Sequence, residues 1–136
     1  MTTSSLSSIR SDFSVLVVDD EQFLRQILVR IVKRDGYQVE EAANGKEALE
    51  KMAGKHFDLV ITDVKMPEID GMALLARVKK EYPEVQVVVV TSHSSEVNAT
   101  EAVAAGASQF ISKPFNNIEI THTLDNLIAR RKRARH

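Results

Sequence analysis

The 136-residue chain contains no cysteine, so disulfides and thiolate metal sites are excluded. Its formal net charge is only −1, which gives no overall electrostatic bias toward nucleic acid. No apolar run comes near the length of a membrane span; the valine stretch Val87–Val90 is far too short. The first residues lack both the basic cluster and the apolar core of a signal peptide, so a soluble, cytoplasmic protein with no membrane partner is expected. There is no internal repeat. What remains is ordinary for a globular domain, with 43% hydrophobic and 27% charged residues. The length suits one domain with one hydrophobic core.

Residues 1–12 hold five serines and two threonines with little periodicity and are expected to form a flexible tail. After them, short apolar runs alternate with longer amphipathic stretches. Val15–Val18 ends abruptly in Asp19-Asp20-Glu21, and Leu24, Ile27, Leu28, Ile31 and Val32 then recur at helical spacing before Gly36. Tyr37–Glu41 reads as an edge strand, and Asn44-Gly45 is turn chemistry preceding a helix with Ala48, Leu49 and Met52 on one face. Leu59–Ile61 is a buried strand closed by Thr62-Asp63, and Asp70 is a helix N-cap ahead of Leu74, Leu75 and Val78. Val85–Val90 has five valines in six residues and is the strongest strand signal. An alanine-rich helix over Val97–Ala105 ends at Gly106, a fifth strand holds Phe110-Ile111, and Asn116 and Glu119 have capping-box spacing before a last helix. Five strands alternating with five helices predict a parallel sheet covered on both faces, and the continuously apolar strands agree.

Ligands of such open sheets bind at the carboxyl ends of the strands. Asp19, Asp20, Asp63, Thr91 and Lys113 all fall there. In the doubly wound order 2-1-3-4-5 the first and third strands are neighbours, which brings Asp19, Asp20 and Asp63 within a few ångströms. Three carboxylates so close call for a counter-charge, and a hard, oxygen-seeking cation such as Mg²⁺ is the natural one. His93 is the one histidine at these ends, which argues against zinc. The simpler reading has Asp19-Asp20-Glu21 cap the first helix; for those residues alone it is as good as a metal site. It leaves Asp63 unexplained. A carboxylate there can attack phosphorus and form an acyl phosphate, with the Thr91 hydroxyl and the Lys113 ammonium holding phosphoryl oxygens. Alone, Thr91 reads as a strand-end turn residue and Lys113 as a surface lysine; Pro114 makes Lys113 notable, because a cis Lys-Pro bond can aim it into the pocket.

In these motifs the chain resembles the bacterial two-component response-regulator receiver domains: Val17-Val18-Asp19-Asp20-Glu21, Asp63-Val64-Lys65-Met66-Pro67-Glu68-Ile69-Asp70-Gly71, Val90-Thr91-Ser92, Gly106-Ala107-Ser108 and Lys113-Pro114-Phe115, all in order. The resemblance implies a flavodoxin-like (βα)5 receiver domain over residues 13–131, with a basic tail or linker start at 132–136. It implies that a sensor histidine kinase or phosphotransfer protein phosphorylates Asp63. Mg²⁺, for which Mn²⁺ can substitute, would be held by Asp20, Asp63 and the Lys65 carbonyl, with Asp19 acting through water. Thr91 and Phe110 occupy the switch positions, and phenylalanine in place of the family's frequent tyrosine loses a hydroxyl. Lys65 and His93 flank the path of the hydrolytic water and would tune the phosphoryl lifetime. The face of the fourth helix, fifth strand and fifth helix would carry output or a phosphorylation-dependent homodimer. Such a domain catalyses only its own phosphorylation and dephosphorylation.

Three other readings compete for these residues. A flavin- or nucleotide-binding fold needs a Gly- or Ser/Thr-rich loop where this chain has acids, and a P-loop needs a Gly-Lys run that is absent. An aspartate-based phosphatase would carry a carboxylate where Lys65 stands. A receiver-like scaffold that is never phosphorylated finds no support in a complete pocket set. Arg130, Arg131, Lys132, Arg133 and Arg135 read mainly as a solvated helix end, and secondarily as a linker or a minor nucleic-acid contact; no nucleic-acid role of the domain itself is expected.

Overall fold

The computed structural model describes residues 9–91 and 98–134, with side chains described as far as Arg130. The strands are β1 (Ser14–Val18), β2 (Gln38–Ala42), β3 (Leu59–Asp63), β4 (Gln86–Thr91) and β5 (Gln109–Ser112). The helices are α1 (Gln22–Arg34), α2 (Gly45–Gly54), α3 (Gly71–Glu81), α4 (Ala99–Ala104) and α5 (Asn117–Ala134). All strand pairs are parallel and the order is β2-β1-β3-β4-β5, as expected.

The pleat sends alternate residues of each strand to opposite faces, and here both faces are dry. Leu16, Val18, Val60, Val87 and Val89 face one way, under Ala48 and Met52 of α2, Leu74, Leu75 and Val78 of α3, and Ala102 of α4. Val15, Val17, Leu59, Ile61, Val88 and Val90 face the other, under Leu28, Ile31 and Val32 of α1 and Ile120, Leu124, Leu127 and Ile128 of α5. Two-sided burial is why the central strands read as unbroken apolar runs. The edge strands are polar where they meet solvent, with exposed Gln38 on β2 and exposed Gln109 and Ser112 on β5, which discourages further strand pairing.

Asparagine and aspartate start four of the five helices. Asn44, Asp70, Asn98 and Asn116 each accept a hydrogen bond from the backbone N–H three residues on. Helix α1 is the exception: Glu21 at its N-cap makes no side-chain cap bond and its first turn holds no acid.

Two expectations shift. The tail thought to run through Asp12 is docked from residue 9: residues 9–11 form a helical turn, and Ile9 packs on the α1–α5 face. Arg10 donates to both Asp125 oxygens at 3.0 and 2.6 Å and to the Asp35 carbonyl, and its guanidinium lies over the Tyr37 ring. The Tyr37 hydroxyl also donates to Asp125, and burial followed by that bond pushes its pKa well above the ordinary value. Serine-rich composition concealed one well-placed arginine. At the other end α5 passes through the expected 131/132 boundary to Ala134. The start of the alanine-rich helix at Val97, Ser92, His93 and residues 1–8 lie outside the described residues, as do the side chains of the basic end beyond Arg130.

Asp125 gathers three charge-assisted bonds at a partly buried position, each worth about 1.5–3 kcal/mol when intact and less where solvent reaches it. Asp125→Ala is therefore expected to destabilise the domain by about 2–4 kcal/mol, and Arg10→Ala by less. Urea titration measures both; an unchanged midpoint in Asp125→Ala would show the network to be idle.

Candidate functional site

The candidate residues stand at or just beyond the carboxyl ends of the strands. The β1–β3 pairing ends at Val18↔Thr62, so Asp19 and Asp63 emerge side by side at the carboxyl edge. Carboxylate oxygens of Asp19, Asp20 and Asp63 lie within 4.8 Å of one another. Asp19 is 1% and Asp63 8% exposed, while Asp20 reaches solvent. Lys113, directly after β5, brings its Nζ to 3.5 Å from Asp63 Oδ2 and 3.6 Å from Asp19 Oδ2. Its backbone N–H donates to the Thr91 carbonyl at 2.7 Å, and the Lys113–Pro114 peptide is cis.

Burial is the main cause that pushes the Asp63 carboxyl above the usual carboxylate range; Lys113 and the Val64 amide pull it down and Asp20 pushes it further up. Asp19 is raised too, again by burial first, against the Glu21 amide and Lys113, with Asp63 and Asp20 adding to the rise. One ammonium does not neutralise three carboxylates. At 3.6 Å Lys113 is an ion-pair partner of Asp19 Oδ2 rather than a hydrogen-bond donor, and that buried oxygen has no donor among the described residues. A buried, donorless carboxylate oxygen facing two more carboxylates is what an oxygen-seeking divalent cation fits.

The helix-capping reading of the acidic run does not hold. Asp19 Oδ1 accepts from the Glu21 N–H at 2.9 Å, which fixes the turn rather than the first turn of α1. The Asp19 N–H donates to Ala42, and the Asp19 carbonyl accepts from Arg25 at 2.8 Å. Arg25 also donates to Glu41 Oε1 at 2.7 Å. This arginine carries no motif signal: it lies on the polar side of α1, and its partner belongs to β2.

Asp63 is set by the loop that follows. Its Oδ1 accepts from the Val64 N–H, the Val64 carbonyl accepts from the Gly71 N–H at 2.8 Å, and Met66 is buried in the core. Gly71 is required by space: a Cβ there would lie 2.0 Å from the Asp63 carbonyl oxygen. Glu68 takes a left-handed φ of 65° at the loop tip. Thr91 is buried at the end of β4. Phe110 is partly buried against the α2–α3–α4 core, across the ladder from Val89. Lys65, two residues after Asp63, is exposed, and the His93 position lies outside the described residues.

A flavodoxin-like sheet in this order, with its acids gathered at the carboxyl edge, narrows the class. The response regulator receiver domain family matches residues 15–125. The chemotaxis protein CheY of Thermotoga maritima is 36% identical over 114 residues, covering 83% of this chain and 95% of that protein. A putative NtrX-like response regulator of Rickettsia bellii is 38% identical over 122 residues, covering 88% of this chain and 24% of that protein. Among solved structures, a response regulator receiver domain protein from Clostridium thermocellum superposes with a TM-score of 0.83 at 33% identity, covering 88% of this chain and 97% of the other. The chain belongs to the response regulator receiver domain family. It spans about a quarter of the length of the NtrX-like and ZraR relatives it matches.

Because the folded pKa values of Asp19 and Asp63 lie above the unfolded ones, the fold holds these protons more tightly than the unfolded chain does. Below a pH of about 4 both states are protonated and the pocket costs nothing; as pH rises through the folded values, ionisation there subtracts stability. Asp63→Asn is therefore expected to stabilise the metal-free protein at pH 7.5, with the gain shrinking as the pH falls. Thermal melts of both proteins across that range check it, and a variant no more stable than wild type at pH 7.5 contradicts it.

Proposed function

We propose that this domain is phosphorylated on Asp63 in an Mg²⁺-dependent reaction, and that the phosphoryl group shifts the equilibrium of the α4–β5–α5 face. The observation that carries the proposal is the juxtaposition of the Asp19, Asp20 and Asp63 carboxylates with the Lys113 ammonium 3.5 Å from Asp63. In the transfer, an Asp63 oxygen forms a bond to phosphorus as the bond from phosphorus to the donor imidazole nitrogen breaks, and that nitrogen keeps the electron pair and takes a proton. Asp20, Asp63 and the Lys65 carbonyl would hold Mg²⁺ directly and Asp19 through water; Mn²⁺ would serve in its place. The bound cation supplies charge that offsets the carboxylates and the phosphoryl oxygens. Lys113 holds a second phosphoryl oxygen and the Thr91 hydroxyl a third.

Signal transmission follows from placement. Alternation along β4 puts Thr91 on the same face as Val87 and Val89, and Phe110 packs on that face from β5. When Thr91 moves toward the phosphoryl group, the Phe110 ring can turn into the space beneath α4. Burying the remaining ring area gives up to about 1.5–3 kcal/mol, enough to shift a two-state equilibrium by roughly tenfold to a hundredfold. Lys65, and His93 beyond the described residues, would govern how fast water reaches the acyl phosphate.

The donor is a sensor histidine kinase or phosphotransfer protein. Phe23 in the first turn of α1 and Ile118 in the first turn of α5 are 74% and 73% exposed, on helices that begin just past the pocket residues. Such apolar side chains at the rim suit protein docking. The output is a partner, an attached domain or a second copy of the chain engaged through α4–β5–α5.

Incubation with a small acyl-phosphate donor and Mg²⁺ is expected to add one phosphoryl group by intact mass, with none in Asp63→Asn or without divalent cation. Equal labelling of Asp63→Asn removes the assignment. Phe23→Ala is expected to take up phosphate normally from the small donor but at least several-fold more slowly from a phosphohistidine protein; equal rates from both donors would discard the docking role. On phosphorylation, hydrogen exchange is expected to change mainly in residues 91–115 and α5. Phe110→Ala is expected to be labelled normally and to lose that change, and a wild-type exchange response in this variant counts against the switch.

A further inference from the structure

We infer that Arg25 is a positioning residue for the pocket, aligning the backbone of Asp19 so that the Asp19 and Asp20 carboxylates face Asp63; the inference rests on the metal-site reading above. Asp19 lies beyond the last paired residues of β1, where Val18 still has partners in both β2 and β3. Its carbonyl leaves the sheet without a strand acceptor-donor pairing, in a buried corner where an unpaired backbone oxygen would be costly. The Arg25 Nη1 supplies the donor at 2.8 Å. The same guanidinium is held from its Nε by Glu41 at 2.7 Å, so its fork spans α1, β2 and the acidic turn together. Its side chain is only 13% exposed, which limits competition from water.

Position on the helix explains why this residue can reach. The Arg25 N–H closes the first turn of α1 onto the Glu21 carbonyl, and the Glu21 N–H in turn donates to Asp19 Oδ1. Main chain and side chain of Asp19 are thus both referred to the start of α1. Asp19 N–H to Ala42 ties the same residue to β2, the strand that also carries Glu41. With no side-chain cap on α1, Arg25 is the charged side chain that joins this turn to the neighbouring strand. A lysine cannot replace it fully: one ammonium on a flexible stem lacks the fixed fork that meets a carbonyl and a carboxylate at once. Groups that orient metal-binding carboxylates in this way typically change metal affinity about 10–100-fold when removed.

The test compares Arg25→Ala and Arg25→Lys with wild type by Mg²⁺ titration calorimetry, by melting of the metal-free proteins, and by amide exchange at Asp19 and Glu21 without metal. Arg25→Ala is expected to bind Mg²⁺ about tenfold more weakly and to exchange faster at those two amides. Arg25→Lys is expected to fall between Arg25→Ala and wild type in affinity while melting close to wild type. Acyl-phosphate labelling of Arg25→Ala is expected to need more Mg²⁺ and to approach the wild-type rate at saturation. A folded Arg25→Ala with wild-type Mg²⁺ affinity overturns the inference, as does lower melting with no change in affinity or local exchange. Should Arg25→Ala not fold, Arg25→Lys decides, and wild-type affinity there overturns it. If wild type itself binds no Mg²⁺, the metal-site reading fails instead, which separates the two.

Discussion

Three carboxylates brought together at the edge of a dry sheet, with one ammonium to answer them, set the terms for the rest of this molecule. The carboxyl pKa values of Asp19 and Asp63 are raised by burial, and Asp19 Oδ2 has no donor among the described residues, so the metal-free pocket is held against its own electrostatics. Such an arrangement persists only if the surrounding structure over-determines it. Two of the three acidic residues, Asp19 and Asp63, are held by specific bonds. Asp19 is fixed at its amide, carbonyl and side chain, and Asp63 is fixed through Val64 and the loop that returns to Gly71. Gly71 has no room for even a methyl group against the Asp63 carbonyl.

That constraint also explains a division of labour among the helix starts. Elsewhere, asparagine or aspartate caps the helix in the usual way. After β1, Asp19 and Asp20 belong to the acidic cluster, and α1 begins after Glu21 without a side-chain cap. Local helix stability is given up at the one helix start whose acids belong to the cluster, which is where a departure from local rules is expected to mark function.

Much of this was legible in the sequence, for reasons that differ by element. The strands announced themselves because burial on both faces removes the alternating pattern and leaves valine runs such as that of β4. Asp19, Asp20, Asp63, Thr91 and Lys113 could be grouped because each follows or ends an apolar run, and parallel topology then sends all of them to one edge. Arg10 and Arg25 were not legible. Each acts across a long gap in the chain, Arg10 to Asp125 and Arg25 to Glu41, and neither lies in an apolar period. The Ser-rich composition around Arg10 points to disorder, and only the fold reveals that its partners Asp125, Asp35 and Tyr37 converge there. The capping alternative for Asp19 could not be settled from sequence either, since it turns on which N–H the carboxylate meets.

The two faces of the sheet are braced unequally, and this bears on where a phosphoryl signal can travel. On the α1–α5 side, Arg10, Tyr37 and Asp125 form a charged network, Thr121 donates to Asp35, and Gln86 of β4 donates to the Leu127 carbonyl of α5. Deforming that side means breaking charge-assisted bonds at partly buried positions. On the other side, α4 has six residues, and Ala102 is its one fully buried side chain. Alanine makes few contacts, so a small shift of α4 forfeits little dispersion energy. The stem of Lys79 of α3 lies close to Gly106 at the α4–β5 turn, with its ammonium donating to the Pro83 and Val85 carbonyls. Under the proposed phosphorylation of Asp63, a shift of Thr91 is expected to meet less resistance from lightly packed α4 and the half-buried Phe110 ring than from the braced α1–α5 side.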